Sequence, residues 1–182
     1  MDNGERCYRR YLEGEDEAFN EIVKALYDKL VFFIERYVHD HGLAEELAID
    51  TFAEVMVHKT RYDFRSSVKT YIFMIGRSRA LTYLKRNKAR RDVSLEELEP
   101  TLCDKQASEL LLTRERDRLL HAAIAQLPEE MGVVIHLVYF EGLSYDEVAR
   151  VMKKNKKQVD NLLYRAKKQL REILKEEGVM TS

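Results

Sequence analysis

The sequence predicts an all-α protein of two small helical domains joined by a linker, the C-terminal one a helix-turn-helix domain. Three observations support this fold class. Apolar residues recur at helical spacing along most of the chain. Only two prolines and seven glycines occur among 182 residues. The sign of the charge alternates in blocks along a chain whose net charge is only −1.

The first domain, residues 1–91, is predicted to contain three helices. One spans 16–40 and a second spans 43–58, beginning after Gly42. The third runs from about Val68 to Arg90, after the irregular stretch KTRYDFRSS. The apolar face of the first helix repeats at i, i+3, i+4 and i+7 and comprises Phe19, Ile22, Val23, Leu26, Leu30 and Phe33.

An acidic linker and the entry to the next helix, residues 92–117, precede the second domain, residues 118–182. The start of this segment, DVSLEELEPTLCD, contains Pro100 and at most a short helical turn. Proline disfavours a helical residue before it and suits a first helical position, so Leu127-Pro128 marks a helix boundary. Helices therefore fit residues at about 105–127, 129–140, 144–152 and 156–176.

Two capping signals near the C-terminus predict a helix-turn-helix. Ser144 and Glu147 form an S-x-x-E capping box, and Asn155 with Gln158 is a second plausible cap. Gly142 suits the left-handed residue that closes the preceding helix. Only a few residues separate the two capped helices, as in a motif whose second helix lies in the DNA major groove. An ordinary helical hairpin with a solvated basic face is the alternative.

The charge pattern favours binding to a polyanion at two places. Residues 65–91 hold nine basic residues and no acidic one, and residues 153–171 hold eight basic residues and one acidic one. Acidic blocks at 13–54 and 92–117 separate them. A uniform solvated surface would mix the signs, so this segregation predicts two separate contacts with nucleic acid.

Aromatic and basic residues are interleaved in VKTYIFMIGRSRALTYLKRNKARR and in the loop before it, which contains Tyr62, Phe64 and Arg65. Aromatic faces beside positive charge are what binding to unpaired bases requires. Packing explains Ile75 and Leu84, but aromatic residues in a loop are harder to explain by packing alone. The combination predicts binding to single-stranded or melted DNA.

Three blocks of the sequence resemble the extracytoplasmic-function (ECF) group of bacterial sigma factors. AEELAIDTFAEVM (44–56) is similar to the family's A-E-D-L-V-Q-E-T-F-x-x-V-W. VKTYIFMIGRSRALTYLKR (68–86) resembles F-x-x-W-L-x-x-I-A-R-N-x-A-x-D-Y-L-R-R. LPEEMGVVIHLVYFEGLSYDEVARVM (127–152) resembles L-P-E-x-x-R-x-V-x-x-L-x-Y-x-E-G-L-S-Y-x-E-I-A-x-x-L. The family's members are dissociable promoter-specificity subunits of RNA polymerase with two domains joined by a flexible linker.

The resemblance implies a role for each part of the chain. The helix at 44–56 corresponds to the segment that docks on the clamp helices of the largest polymerase subunit, and its candidate contacts are Glu46, Ile49 and Asp50. The candidates for binding the −10 element, including a base flipped into the loop, are Tyr62, Phe64, Arg65, Lys69, Tyr71, Arg77, Ser78, Arg79, Lys85 and Arg86. The candidates for binding the −35 element are Lys156, Lys157, Gln158, Asp160, Asn161, Tyr164, Arg165 and Lys168.

The expected partners are bacterial RNA polymerase core (its clamp helices and, by family resemblance, its flap region), promoter DNA and, as a further candidate, an anti-sigma factor. The acidic linker would run toward the RNA exit path. No apolar run approaches the roughly 18 residues of a membrane span, and MDNGERCYRR lacks the apolar core of a signal peptide. We therefore expect a cytoplasmic protein without membrane insertion.

Several positions depart from the family pattern. Tyr71 stands where tryptophan is common, and the loop before it is about two residues shorter than usual. Lys153 replaces a common glycine, so it is expected to adopt φ > 0. The second helix of the motif reads QVDNLL rather than T-V-K-S-R-L, so Asp160 and Leu162 replace two bases. The DNA preference is therefore expected to differ from that of other members.

Two other classes of function remain open from the sequence. One is a helix-turn-helix regulator that binds duplex DNA without polymerase, for which the cluster at 62–86 would be superfluous. The other is an enzyme with a metal or acid-base site at His39, Asp40 and His41. Neighbouring helical residues point in different directions, and Cys7 and Cys103 fit no metal-ligand spacing. No catalytic residue, metal or other cofactor is expected.

Overall fold

Two helical units make up the part of the chain that the computed structural model describes, residues 3–91 and 113–176. The N-terminal unit contains helices α1 (Asn3–Leu12), α2 (Asp16–Val38), α3 (His41–Val57) and α4 (Val68–Arg91), with a 3-10 turn at Lys59–Arg61. Residues 113–176 contain α5 (Thr113–Ala125), α6 (Glu129–Ile135), a π-helical turn at His136–Phe140, α7 (Tyr145–Met152) and α8 (Lys156–Glu176). The predicted all-α class is confirmed. The predicted linker at 92–104 and the predicted helix start at 105 lie outside the described residues.

Helix α1 is the element that sequence periodicity did not predict. Its sequence, NGERCYRRYL, is mostly polar and has a glycine, Gly4, in its first turn. Cys7, Tyr8 and Tyr11 are nevertheless buried, and Tyr8 Oη donates a 2.8 Å hydrogen bond to the carbonyl oxygen of Lys59. Tertiary packing of these side chains, rather than helix propensity, therefore holds α1 in place.

The corner between α2 and α3 explains HDHG without a metal. His39 takes a left-handed conformation (φ 54°) that ends α2 at Val38 rather than at residue 40. Asp40 caps α3, accepting a 2.9 Å hydrogen bond from the backbone N–H of Leu43, so α3 begins at His41 rather than at 43. His41 Nδ1 lies 3.2 Å from a carboxylate oxygen of Glu35. Within residues 3–91 and 113–176, no group of three or more His, Cys, Asp or Glu side chains could hold a metal ion.

Close packing of α4 on α2 sets the orientation of the basic helix. The rings of Phe33 and Phe73 have centroids 4.8 Å apart. Gly76 suits this close contact, since an added Cβ would come within 2.8 Å of Leu30 Cδ1 and the Leu30 side chain would have to shift. One face of α4 is thereby buried against α2, and α4 also packs against α3.

The helix predicted over 129–140 is broken in the structure. It follows α-helical geometry only as far as Ile135 and continues as the π-helical turn, where Glu141 N–H donates to the carbonyl oxygen of His136 at 3.1 Å. His136 and Glu141 are both buried, with Nε2 and Oε1 3.5 Å apart. Gly142 follows with φ 64°, which confirms the left-handed residue predicted there. None of the helices in the described ranges is both long and apolar enough to cross a bilayer.

Candidate nucleic-acid interface

The helix-turn-helix is closed by two reciprocal capping boxes, as predicted. The backbone N–H of Ser144 donates to Glu147 Oε2 at 3.0 Å, and the N–H of Glu147 donates back to Ser144 Oγ at 3.3 Å. Asn155 and Gln158 exchange the equivalent pair of bonds, both at 2.8 Å. These bonds satisfy amide groups that a helix start otherwise leaves unpaired, so they fix where α7 and α8 begin.

Lys153 adopts φ 53° between the two helices, which confirms the prediction from the missing glycine. A residue with a Cβ pays roughly 1–2 kcal/mol for this conformation. Backbone hydrogen bonds close this turn, since Lys153 N–H donates to the carbonyl oxygen of Arg150 at 3.3 Å and Lys154 N–H to that of Ala149 at 2.9 Å.

Helix α8 separates a buried stripe from an exposed polar surface. Val159, Leu163 and Ala166 are buried, while Leu162 is half-buried. Tyr164 is 70% exposed, so its ring lies among the polar side chains of this surface. The whole −35 set predicted from the sequence is exposed, namely Lys156, Lys157, Gln158, Asp160, Asn161, Tyr164, Arg165 and Lys168.

A shallow groove of about 230 Å³ runs between the start of α6 and the first turns of α8. Gln158, Asn161 and Arg165 line it from α8. Glu130 lines it from α6 and holds Lys154 Nζ at 2.9 Å. Sequence reasoning did not identify Glu130 or Lys154, because only the tertiary structure brings the start of α6 beside α8.

Tyr62 is buried, contrary to the expectation that packing alone does not explain the loop aromatics. It is only 3% exposed, and its hydroxyl donates to the carbonyl oxygen of Ser66. Its ring centroid lies 4.8 Å from Tyr8, 4.5 Å from Phe64 and 5.0 Å from Tyr71. The argument from exposure is therefore wrong for Tyr62, because α1, which was not predicted, supplies the ring that covers it.

Phe64 occupies a different position in the same loop. It is half-buried and takes φ 59°, a left-handed conformation that is strained for an aromatic residue and costs on the order of 1–3 kcal/mol. The guanidinium carbon of Arg9, on α1, lies 4.2 Å from the Phe64 ring centroid. Arg65 is exposed next to it, and its backbone N–H donates to Asp63 Oδ1 at 3.1 Å. Packing thus holds Phe64 and Arg65 at the surface side of the loop.

The predicted −10 residues on α4 differ in their surroundings. Ser78, Lys85 and Arg86 are exposed, whereas Lys69, Tyr71, Arg77 and Arg79 are half-buried. Burial raises the pKa of the Tyr71 hydroxyl above its usual value. Arg77 Nε is buried and has no hydrogen-bond partner among the residues that the structure describes. Arg79 forms ion pairs with Glu54 and Asp50 of α3.

The outer face of α3 carries the residues predicted to bind polymerase. Glu46, Ile49 and Asp50 are all exposed. Ile49 is 58% exposed, and the same helix also exposes Met56 (50%) and Val57 (75%), which sequence reasoning did not single out. Large apolar side chains exposed together along one helix are typical of a protein-binding surface.

Two family models match the chain and together cover well over half of it. Sigma-70 region 2 matches residues 22–90, which include α3, the aromatic loop and α4 up to its penultimate residue. Sigma-70 region 4 matches residues 117–170, which include the helix-turn-helix. The N-terminal helix α1 lies outside both matches.

Individual relatives agree with the family models. The chain is 28% identical to the RNA polymerase sigma-H factor of Pseudomonas aeruginosa over 96% of this chain and 95% of that one. It is 24% identical to the ECF RNA polymerase sigma factor SigM of Bacillus subtilis over 86% of this chain and 94% of that one. The solved structure of the sigma factor RpoE in complex with the anti-sigma factor NepR from Bartonella quintana has the same fold, with a TM-score of 0.74, 20% identity, and coverage of 86% of this chain and 96% of that one. The chain belongs to the ECF group of the sigma-70 family and is an RNA polymerase sigma factor, a transcription initiation factor.

Proposed function

We propose that this sigma factor binds its partners through three surfaces of the described structure. The outer face of α3 binds the polymerase core. The loop at 62–66 and the basic face of α4 bind the melted −10 element. The exposed face of α8 reads the −35 element as a duplex.

The observation that carries this proposal is the exposed face of α8. Because the stripe at Val159, Leu163 and Ala166 is buried, the polar residues in the first turns of α8 are exposed and can enter the major groove of DNA. Asn161 lies beside Gln158 and Arg165 along the groove next to α6. An asparagine can pair bidentately with adenine and an aspartate can accept from cytosine, whereas lysines and arginines suit phosphates.

We assign polymerase binding to the outer face of α3 because that face exposes both acidic and apolar side chains. Glu46 and Asp50 supply negative charge, and Ile49, Met56 and Val57 supply apolar area. A protein partner buries such a mixed surface more readily than DNA does, since phosphates repel carboxylates. The proposed contact is with the clamp helices of the largest subunit.

The helix-turn-helix regulator that acts without polymerase is not favoured. Such a regulator would need only α8 to bind DNA, whereas this chain matches the sigma-70 models in both units. We propose that the partners of this sigma factor are promoter DNA and core polymerase, which it meets in the cytoplasm. We also propose that an anti-sigma factor binds it, a suggestion supported by the Bartonella sigma factor, whose structure is a complex with one.

Run-off transcription tests the proposal directly. Purified chain and bacterial core polymerase are combined on DNA taken from upstream of the chain's own gene. We expect a discrete transcript that requires both components. We also expect salt-sensitive, weakly specific DNA binding by the chain alone. Tight, sequence-specific duplex binding by the free chain, without a transcript, would instead support the regulator.

A further inference from the structure

Arg9 on α1 covers the aromatic ring that the proposed −10 loop presents. Its guanidinium carbon lies 4.2 Å from the Phe64 centroid, a distance at which a cation is attracted to the face of a ring. Arg9 also pairs with Glu5 one helical turn earlier, with Nη2 and Oε1 2.9 Å apart. The guanidinium is therefore held from α1 on one side and by the ring on the other.

The other aromatic neighbours of Phe64 lie inside the protein. Tyr62 approaches the ring at 4.5 Å and Tyr8 approaches it edge-on at 6.2 Å. Both are buried, at 3% and 0% exposure, whereas the side chain of Arg9 is 48% exposed. A ligand that reaches the face of Phe64 from solvent consequently meets Arg9.

Phe64 has little freedom to present another face. Its backbone is fixed at φ 59°, and the adjoining residues are tied by the Asp63–Arg65 turn and by the Tyr62–Ser66 hydrogen bond. Access to the ring therefore depends on whether Arg9 stays or leaves, rather than on a rotation of the loop.

We propose that Arg9 gates the stacking position on Phe64: a nucleobase extruded from the −10 element and the Arg9 guanidinium compete for the same ring. This inference rests on the proposed function of the loop. It adds a determinant on α1, outside the region that matches the sigma-70 model. Removal of the guanidinium should tighten single-strand binding. Loss of a cation–π contact at an exposed site corresponds to about two- to fivefold in affinity.

The experiment measures binding of a fluorescein-labelled single strand by holoenzyme. The probe is the non-template −10 strand of a promoter mapped by run-off transcription. Arg9→Ala should bind it about two- to fivefold more tightly than wild type. The control is Arg10→Ala, which removes the same charge from the same helix. Arg10 forms ion pairs with Glu15 and Glu21, so this variant loses those pairs and leaves the contact with Phe64 intact. Arg10→Ala should leave binding unchanged or slightly weaker.

The ring is tested by repeating Arg9→Ala in a Phe64→Leu background, which keeps an apolar side chain but removes the aromatic face. There the tightening should disappear. Equal tightening in both backgrounds, or an effect no different from that of Arg10→Ala, overturns the gate while leaving the proposed function intact. Wild-type holoenzyme that binds the −10 strand no better than a scrambled one overturns the proposed role of the loop, and the gate with it.

Discussion

Arg79 Nη1 on α4 lies 3.2 Å from Asp50 Oδ2 on α3, and Arg79 Nε lies 2.9 Å from Glu54 Oε2. A residue predicted to bind −10 DNA and a residue predicted to bind polymerase thus contact each other. A phosphate that bound Arg79 would compete with two carboxylates already in place. We therefore regard Arg79 first as the residue that positions the acidic face of α3.

Replacement of Arg79 by alanine should lower stability by about 0.5–1 kcal/mol, because the ion pairs are only partly shielded from water. Urea unfolding of the isolated chain measures the change. Lys85→Ala, on the exposed part of the same helix, is the control and should leave the midpoint unchanged. If both variants unfold alike, the contacts of Arg79 contribute nothing to the fold.

Reversal of one charge on α3 tests the polymerase surface. Glu46→Lys should weaken association with core polymerase about tenfold, equivalent to about 1.4 kcal/mol, since it places a cation where the partner is expected to present one. Glu46 is preferred to Asp50, whose replacement would also release Arg79. Glu13→Lys makes the same change on an exposed residue just after α1. Competition with a labelled sigma factor for core gives the affinity, and equal loss from both variants would place the contact elsewhere.

Because Tyr62 is buried, we expect its substitution to act first on the stability of the fold. Tyr62→Ala should lower the free energy of unfolding by about 3–5 kcal/mol, as for other buried aromatic residues. Tyr62→Phe, which removes only the hydroxyl bonded to Ser66, should cost about 1 kcal/mol. Thermal or urea unfolding checks both values. A Tyr62→Ala chain of wild-type stability would show that the ring is not packed as described.

Substitution of Phe64 tests promoter opening better than substitution of Tyr62, because Phe64 is only half-buried. Phe64→Ala should slow formation of the open complex more than it weakens binding to closed promoter DNA, because a stacking partner appears only after a base has left the duplex. Permanganate footprinting follows opening, and a premelted −10 template should restore most of the loss. Normal opening by Phe64→Ala would exclude this ring as a stacking surface.

Sequence periodicity and capping signals were sufficient to predict most helices of the described ranges. Ser144–Glu147 and Asn155–Gln158 formed the expected boxes because capping depends on residues within one turn of each other. The geometry of the aromatic loop was not predictable in the same way. Tyr8 covers Tyr62 from a helix with a weak local signal, so the burial of Tyr62 depends on contacts distant in sequence. The π-helical turn after Ile135 likewise has no signature in its own residues.

Asn161 and Lys168 on α8 provide the sharpest test of how DNA is read. Asn161 lines the groove beside α6 in the second turn of the helix, whereas Lys168 lies exposed two turns further on. Asn161→Ala should change the ranking of −35 variants, since each bidentate base contact contributes about 1–3 kcal/mol of discrimination. Lys168→Ala should weaken all variants about equally and lower the salt dependence, because a phosphate contact carries no sequence information. Both are measured as holoenzyme against a −35 library at two salt concentrations. Uniform weakening by Asn161→Ala, with the ranking preserved, would assign this residue to the backbone and leave Asp160 and Gln158 to choose the sequence.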